Sequence, residues 1–232
     1  MKSLADILGG TSPLPDQLPD DPFPTVVSWF DEAMARQDQP NPNAIALATT
    51  SPDGHPSVRQ VLCKGIDAAT GHIVFYTNYT SPKAVDLDAT GLASVCFFWD
   101  HLGRQVRLAG RVVRSPAGES DAYFASRRWE SRVGAWASEQ SRPIASRSAL
   151  IGKVMTTIGD LGLSLPALLL KGKSVEIPRP PFWGGYRLYA SAVECWVSGT
   201  GRIHDRARWE RTVEVDGETV TTGDWSATRL QP

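Results

Sequence analysis

The sequence predicts an α+β fold in which an antiparallel β-barrel forms the core and helices lie at its periphery. Between residues 43 and 113, short β-rich segments alternate with turn residues, and only residues 81–89 interrupt them with a helical pattern. Strands so closely spaced favour an antiparallel barrel over a doubly wound parallel sheet. No G-x-G-x-x-G motif follows a strand, which argues against a Rossmann nucleotide site.

The first elements follow from local signals. Residues 1–22 are rich in Pro, Asp and Gly, which predicts a flexible arm ahead of a single domain at residues 23–232. In TVVSWFDEAMARQ, residues 25–37, apolar side chains recur near helical spacing and predict an amphipathic helix that ends at the following PNPN. Asp53-Gly54 then predicts a hairpin turn between two strands.

The rest of the chain begins with helices and returns to strands. Residues 116–158 predict mainly helices, in GESDAYFASRRW and SRSALIGKVMTTIG, and the proline-broken apolar segment after them predicts part helix and part loop. Strands return in YRLYASAVECWVSG, in RIHDRARWERTVEV and in the closing TVTTGDWSATRLQP. Asp216-Gly217 marks another hairpin turn.

Composition gives no indication of a nucleic-acid or membrane partner. Lys and Arg number 24 against 25 Asp and Glu, so the net charge of −1 gives no global reason to bind nucleic acid or an anionic membrane. Cys63, Cys96 and Cys195 are widely spaced in apolar runs, which predicts buried free thiols rather than a metal or redox site. No signal peptide or long apolar run is evident, so we expect a soluble cytoplasmic protein.

The segment RIHDR concentrates cationic groups. In an extended chain Arg202, His204 and Arg206 share one face. These groups repel one another unless an anion or a partner carboxylate lies among them. The segment therefore predicts either an anion-binding face or a surface strand with salt bridges to Asp205, Glu210 and their neighbours.

Three other fragments suggest weaker sites. Alternation in RQVRLAGRVVR places Gln105 on a polar face, which is either a site or an ordinary solvated surface. TSPKA supplies Ser81 and Lys83 at a helix start, where a hydroxyl, a lysine and free N–H groups make a phosphate cradle. RQVLCK supplies Arg59 and Lys64, whose opposite parity requires either a β-bulge between them or sites on two surfaces.

Taken in order, these motifs resemble the pyridoxamine 5'-phosphate oxidase family. The match runs from about residue 43 to the terminal RLQP, through RQVLCK, FYTNYTSPKA, HLGRQVRLAG, YFASRRWESRVGAWASEQS, PRPPFWGGYRL, ECW and RIHDR. Several motifs in the family's order are more specific than any one of them. The resemblance implies an FMN-binding split barrel, an obligate homodimer and FMN held at the subunit interface.

The resemblance also implies two sets of contacts. The FMN contacts would be Arg59, Gln60, Val61, Leu62, Cys63, Lys64, Tyr76, Thr77, Lys83, Gln105, Gln140, Ser141, Trp196 and Arg206. The substrate contacts would be Lys64, Tyr123, Arg127, Ser131, Arg202 and His204, the last two in the catalytic role. A phosphate dianion prefers a bidentate arginine with Lys, Tyr and Ser donors, which the second set contains.

The implied reaction belongs to vitamin B6 metabolism. Hydride would pass from C4' of pyridoxamine or pyridoxine 5'-phosphate to flavin N5, giving pyridoxal 5'-phosphate, and O2 would then reoxidise the flavin and form H2O2. Two other functions are open at this point. One is a related flavin oxidase that acts on another ring, as in phenazine biosynthesis, and the other is an FMN-binding protein without turnover.

Departures from the family motivate these alternatives. Pro82 stands where an arginine is usual, and Cys195 and Val197 change the residues beside Trp196. The segment from Arg147 to Trp183 is about ten residues longer than we expect, and the arm has no Arg-x-x-Tyr that could close over substrate. A changed lid would weaken sequestration of substrate or admit a different one.

Overall fold

A computed structural model describes residues 13–232, except for the side chains at 171 and 173. The strands are β1 (Ala44–Thr50), β2 (Pro56–Asp67), β3 (His72–Asn78), β4 (Leu92–Trp99), β5 (Arg104–Arg114), β6 (Trp183–Val197), β7 (Asp205–Glu210), β8 (Val213–Asp216), β9 (Thr219–Thr222) and β10 (Ser226–Leu230). The helices are α1 (Phe23–Arg36), α2 (Pro82–Thr90), α3 (Ala117–Ser126), α4 (Trp129–Ala137), α5 (Arg147–Asp160) and α6 (Leu165–Lys171). Short 3-10 turns occur at Asp100–Leu102, Gly172–Ser174 and Thr200–Arg202.

A closed antiparallel barrel confirms the predicted α+β fold. Its strands follow the order β6-β3-β2-β1-β4-β5, and pairing of β5 with β6 closes the ring. The long β6 changes partner along one edge, where Trp183 to Tyr189 pair with β3 and Ala192 to Val197 pair with β7. Strand β10 continues the sheet beyond β7. The C-terminal part of β6 therefore lies between β5 and β7, beyond the part of β6 that pairs with β3.

Two apolar clusters stabilise these elements. Alternation along the strands sends Leu47, Phe75 and Leu108 into the barrel, where each is fully buried. A fully buried side chain of this kind contributes about 1.5–3 kcal/mol. The other apolar cluster lies among the helices, where Phe124 and Trp183 pack with residues of α4, α5 and α6. Trp183 thus joins the first residue of β6 to the helical layer.

The segment between α4 and β6, predicted to be longer than is usual in the family, forms helices α5 and α6. Ser146 caps α5, because its Oγ accepts a hydrogen bond from the N–H of Ala149 at 3.0 Å. Ile158 is the buried residue of this helix. This segment therefore packs on the helical cluster, apart from the barrel core. None of the helices in residues 13–232 is long and apolar enough to cross a membrane.

The described part of the predicted arm lies against β7 and β10. The Leu14 N–H donates to Asp205 Oδ2 at 2.7 Å, and Trp209 Nε1 donates to the carbonyl of Pro19 at 2.7 Å. Leu14 is buried in the barrel cluster. These contacts hold residues 13–22 on the barrel, while residues 1–12 lie outside the described residues.

Candidate functional site

A cavity of about 860 Å³ lies between β2, β3, the start of α2 and the helices α3 and α4. Its size is within the roughly 300–1,000 Å³ typical of small-molecule sites. Most of the residues predicted to contact FMN or substrate line it, and they come from segments far apart in sequence. They are Arg59, Gln60, Val61, Leu62, Lys64, Tyr76, Thr77, Lys83, Tyr123, Arg127, Ser131, Gln140 and Ser141.

Lys83 forms a cradle of donors at the N-terminus of α2. Its Nζ donates to Gln140 Oε1 at 2.9 Å, to Thr77 Oγ1 at 3.1 Å and to Ser81 Oγ at 3.2 Å. All three acceptors are neutral. Burial, and then the nearby Arg59, lower the pKa of Lys83 from 10.5 to about 8. An anion bound here would raise the pKa of Lys83 again and stabilise the charged ammonium.

Strand β2 brings Arg59 and Lys64 to the same cavity because it contains a bulge. Cys63 pairs with Phe75 and Gly65 pairs with Val74, so Lys64 is the extra residue. Of the two alternatives that strand parity left open, the structure therefore has the bulge. Cys63 lies instead inside the barrel, where burial raises the pKa of its thiol to about 11. Its side chain does not line the cavity.

Three aromatic rings stack along one wall. The Tyr76 ring centroid lies 4.0 Å from that of Tyr123 and 5.4 Å from that of Trp183. Gly185 makes this possible, since a Cβ there would lie 2.8 Å from the Tyr76 ring. The Tyr76 hydroxyl donates to Glu119 Oε1 at 3.3 Å, which fixes the ring in the stack.

Cations cover both ends of this aromatic wall. Lys64 Nζ lies 6.0 Å from the Tyr123 ring centroid, and the guanidinium of Arg127 lies 4.7 Å from that of Trp183. Arg127 Nη1 is buried and has no hydrogen-bond partner among the described residues. Burial lowers the pKa of Arg127. A buried donor without a partner costs about 1–3 kcal/mol, so this nitrogen favours an incoming acceptor.

The remaining predicted residues form a second cluster on β5, β6 and β7. Gln105 pairs with Trp196, and Trp196 pairs with Arg206, so the three side chains form one row across the sheet. The ring of His204 lies 4.7 Å from that of Trp196. In the part of the chain that is described, neither this row nor His204 and Arg202 line the cavity. The predicted site is therefore divided between two surfaces of one chain.

The prediction that Arg202, His204 and Arg206 share one strand face is wrong. Strand β7 begins only at Asp205, and Arg202 lies in a 3-10 turn with a φ of 65°. The chain folds back so tightly that a Cβ at Gly199 would lie 1.7 Å from the carbonyl oxygen of Ile203. A regular strand cannot form there.

This turn fixes the histidine. The N–H of Gly199 donates to Nδ1 of His204 at 3.2 Å. Because Nδ1 accepts this hydrogen bond, the proton of the neutral ring lies on Nε2.

Arg206 has a carboxylate partner that the sequence did not indicate. Glu194 Oε1 accepts hydrogen bonds from its Nη2 at 2.9 Å and its Nε at 3.2 Å. The carboxylates expected from the sequence pair elsewhere, Asp205 with Arg229 and Glu210 with Arg208. The predicted salt-bridged strand is therefore present, but with different pairs.

Sequence reasoning also missed residues inside the cavity. Trp183, Asn78 and Ser138 line it. Trp183 lies in PFWGG, where an aromatic residue before two glycines signals close backbone packing. Asn78 Nδ2 donates to the carbonyl of Ser138 at 3.3 Å and so joins the end of β3 to the loop after α4. No local pattern indicates that contact.

Comparison with known proteins confirms the resemblance found in the motifs. A family model described as Pyridoxamine 5'-phosphate oxidase matches residues 31–158. A second, described as Pyridoxine 5'-phosphate oxidase C-terminal dimerisation region, matches residues 183–232. All the predicted residues of the cavity and of the second cluster lie within these two matched segments.

Individual relatives extend over nearly the whole chain. The pyridoxine/pyridoxamine 5'-phosphate oxidase of Paracoccus denitrificans is 44% identical over 223 residues, which cover 92% of this chain and 96% of that protein. The enzyme of the same name from Burkholderia lata is 43% identical over 215 residues, with coverage of 91% and 89%. The crystal structure of PhzG from Burkholderia lata, in complex with tetrahydrophenazine-1-carboxylic acid, gives a TM-score of 0.77 at 31% identity, with coverage of 94% and 95%.

Proposed function

The chain belongs to the pyridoxamine 5'-phosphate oxidase family, and we propose that it is an FMN-dependent oxidase that forms pyridoxal 5'-phosphate from pyridoxamine or pyridoxine 5'-phosphate. The observation that carries this proposal is a single cavity with two groups of cationic donors. One group surrounds Lys83, and the other surrounds Arg127. Two bound phosphates, one from the cofactor and one from the substrate, would satisfy both groups.

The residues around Lys83 fit the phosphate of FMN. Its ammonium meets only neutral oxygens, and it lies at the N-terminus of α2, where the helix dipole favours an anion. In residues 13–232, neither Lys83 nor Arg59 forms an ion pair with a carboxylate. FMN, when bound, supplies the two-electron chemistry, while this chain binds it and orients the substrate.

The residues around Arg127 fit the phosphate of the substrate. Its Nη1 is a buried donor that needs an acceptor, and the hydroxyls of Tyr123 and Ser131 line the same cavity. Lys64 adds a second positive charge, with its Nζ 6.0 Å from the ring centroid of Tyr123. A phosphate ester matches this donor set better than a single carboxylate does, because it offers more acceptor oxygens and a double charge.

Sequence identity also favours a vitamin B6 substrate. Both Burkholderia lata proteins come from strain 383. The chain is 43% identical to the oxidase of pyridoxine/pyridoxamine 5'-phosphate and 31% identical to PhzG of that organism. The comparison within one organism supports the first activity over the second.

We propose that a second copy of the chain completes the site. The outer face of the barrel joins the cavity to the second cluster, and it carries exposed apolar side chains among polar ones. Val58 of β2 is 68% exposed and lines the cavity, while Phe98 of β4 is 52% exposed and pairs with Gln105. Alanines 44, 46 and 48 lie between them on β1. A homodimer that covers this face would bring the cluster of one copy to the cavity of the other.

In this arrangement the second cluster would make the contacts that the family resemblance implies. Gln105, Trp196 and Arg206 would contact FMN, and Arg202 and His204 would contact the substrate. Nε2 of His204 is the ring atom available to hold or release a proton, since Nδ1 is occupied by the N–H of Gly199. Arg202 would hold the substrate ring against the cofactor.

The oxidase assay tests this function directly. Purified protein loaded with FMN would be assayed for peroxide release with pyridoxamine 5'-phosphate, with unphosphorylated pyridoxamine and with tetrahydrophenazine-1-carboxylic acid. We expect kcat/KM for the phosphorylated amine to exceed that for pyridoxamine by roughly a hundredfold, because the donors around Arg127 are otherwise left unpaired.

Two results would contradict the proposal. Peroxide released only with the tetrahydrophenazine would indicate a phenazine-type oxidase. Stable FMN binding without turnover of any of the three compounds would indicate a flavin-binding protein.

A further inference from the structure

Glu194 is a buried carboxylate that none of the proposed ligand contacts includes. It precedes Trp196 by two residues on β6, so both side chains lie on the same face of the strand. Only 7% of Glu194 is exposed. Because a buried carboxylate is costly unless it is paired, its partners indicate what it does.

Two arginines from neighbouring strands bind this carboxylate. Oε1 accepts hydrogen bonds from Nη2 and Nε of Arg206, and Oε2 lies 3.4 Å from Nη1 of Arg107. Nη1 of Arg206 also donates to the carbonyl of Gln231 at 2.9 Å. Three of the five N–H donors of Arg206 are thus engaged, and one remains on each terminal nitrogen. The guanidinium is held in a fixed plane, and these two donors have no partner within residues 13–232.

The strand register places Glu194 and Arg107 in the row next to the predicted cofactor contacts, on the same face of the sheet. Gln105, Trp196 and Arg206 form one row, and Arg107, Glu194 and Arg208 form the next row along the same strands. Arg206 reaches back from the first row to Glu194 in the second. A change at Glu194 therefore reaches the cofactor through Arg206.

We propose that Glu194 is a positioning residue, which orients Arg206 and sets the charge beside the flavin. The inference rests on the proposed function, in which Arg206 contacts FMN. Arg107 and Arg206 supply two positive charges and Glu194 supplies one negative charge. Reduction adds electron density to the flavin, so net positive charge nearby favours the reduced form.

This charge balance gives predictions of opposite sign. Glu194→Gln keeps an oxygen acceptor for Arg206 but removes the negative charge, so the midpoint potential of bound FMN should rise. We expect a change of roughly tenfold in the redox equilibrium, as for one charge at close range in a partly solvated site, or about 30 mV for a two-electron couple. Arg107→Gln should lower the potential by less, because Arg107 is half exposed and screened by solvent.

A third variant controls for the loss of an ordinary ion pair. Asp88 accepts from Nη2 of Arg114 at 2.6 Å, at the far end of β5, and belongs to neither group of proposed ligands. Asp88→Asn should leave the potential unchanged. The potentials of the three FMN-loaded variants and the wild type would be measured by equilibration with reference dyes.

The inference is overturned if Glu194→Gln leaves the potential unchanged, or if Arg107→Gln raises it. Should Glu194→Gln fail to fold, the half-exposed Arg107→Gln still decides the sign. A wild-type protein that does not bind FMN would overturn the proposed function, and this inference with it. An unchanged potential in FMN-loaded variants would overturn the inference alone.

Discussion

Raising the pH above about 8 should weaken the binding of FMN, because Lys83 then loses its proton in the free protein. Lys83 is buried and lies near Arg59, and its pKa is lowered from 10.5 to about 8. One pKa unit corresponds to about 1.4 kcal/mol, so this shift represents on the order of 3 kcal/mol against the charged form. A bound phosphate dianion would offset that cost and raise the pKa again.

The sign of the pH dependence follows from this shift. Below the free-state pKa, Lys83 is charged both before and after FMN binds, so the dissociation constant should be flat. Above it, each FMN that binds must return a proton to Lys83, and the dissociation constant should increase toward roughly tenfold per pH unit. At about pH 9 the affinity should be roughly tenfold lower than at about pH 7.

Quenching of FMN fluorescence on binding to the apoprotein measures this constant. Lys83→Arg is the matched control, because a guanidinium stays charged throughout this range and removes the pH dependence even where its shape lowers affinity. A wild-type dissociation constant that stays flat up to about pH 9, or an equal slope in Lys83→Arg, would refute the role given to Lys83.

Three further substitutions separate the proposed contacts. Arg127→Met should raise KM for the phosphorylated substrate by roughly tenfold to a hundredfold and leave FMN affinity unchanged. Steady-state kinetics and fluorescence titration measure the two quantities, and an unchanged KM would exclude Arg127 from the phosphate site. Pro82→Arg adds a cation at the start of α2 and should tighten FMN binding by roughly tenfold, which the same titration would detect or rule out. Arg202→Ala should lower kcat strongly while FMN is retained, and loss of FMN with normal turnover of the remaining holoenzyme would reverse the division of roles.

Much of the fold can be predicted because its signals are local. The helix predicted at residues 25–37 is α1 at Phe23–Arg36, and the Asp53-Gly54 turn joins β1 to β2. The Lys83 cradle was also visible, since a serine, a proline and a lysine at a strand-to-helix junction follow one another in sequence. These features depend on neighbouring residues, which a single sequence displays.

Other features depend on contacts between distant residues. The turn at Arg202 interrupts what alternation suggested was one strand, because Gly199 and Gly201 allow a fold that polar periodicity does not record. The partner of Arg206 is Glu194, on the neighbouring strand, rather than the adjacent Asp205. Strand pairing selects that carboxylate, and pairing is a property of the whole sheet.

Residue patterns also do not indicate that the predicted site is divided between two surfaces of the chain. The cavity residues and the second cluster are distinguished only in the folded structure, where Gln105 and Trp196 lie on the outer face of the sheet and do not line the cavity. Their distance along the chain is uninformative, because each group already combines remote segments.

Subunit complementation tests the central claim most directly. Differently tagged copies of Arg127→Ala, which alters the cavity, and Arg202→Ala, which alters the second cluster, would be co-expressed. The FMN-loaded mixture would be assayed for peroxide release with pyridoxamine 5'-phosphate well below the wild-type KM, where each variant alone is nearly inactive. If each site combines the cavity of one copy with the cluster of the other, half of the sites in a mixed dimer are intact, and random pairing restores about one quarter of wild-type activity. A mixture as inactive as the two separate variants, despite purification of the mixed dimer through both tags, would contradict a site shared between subunits.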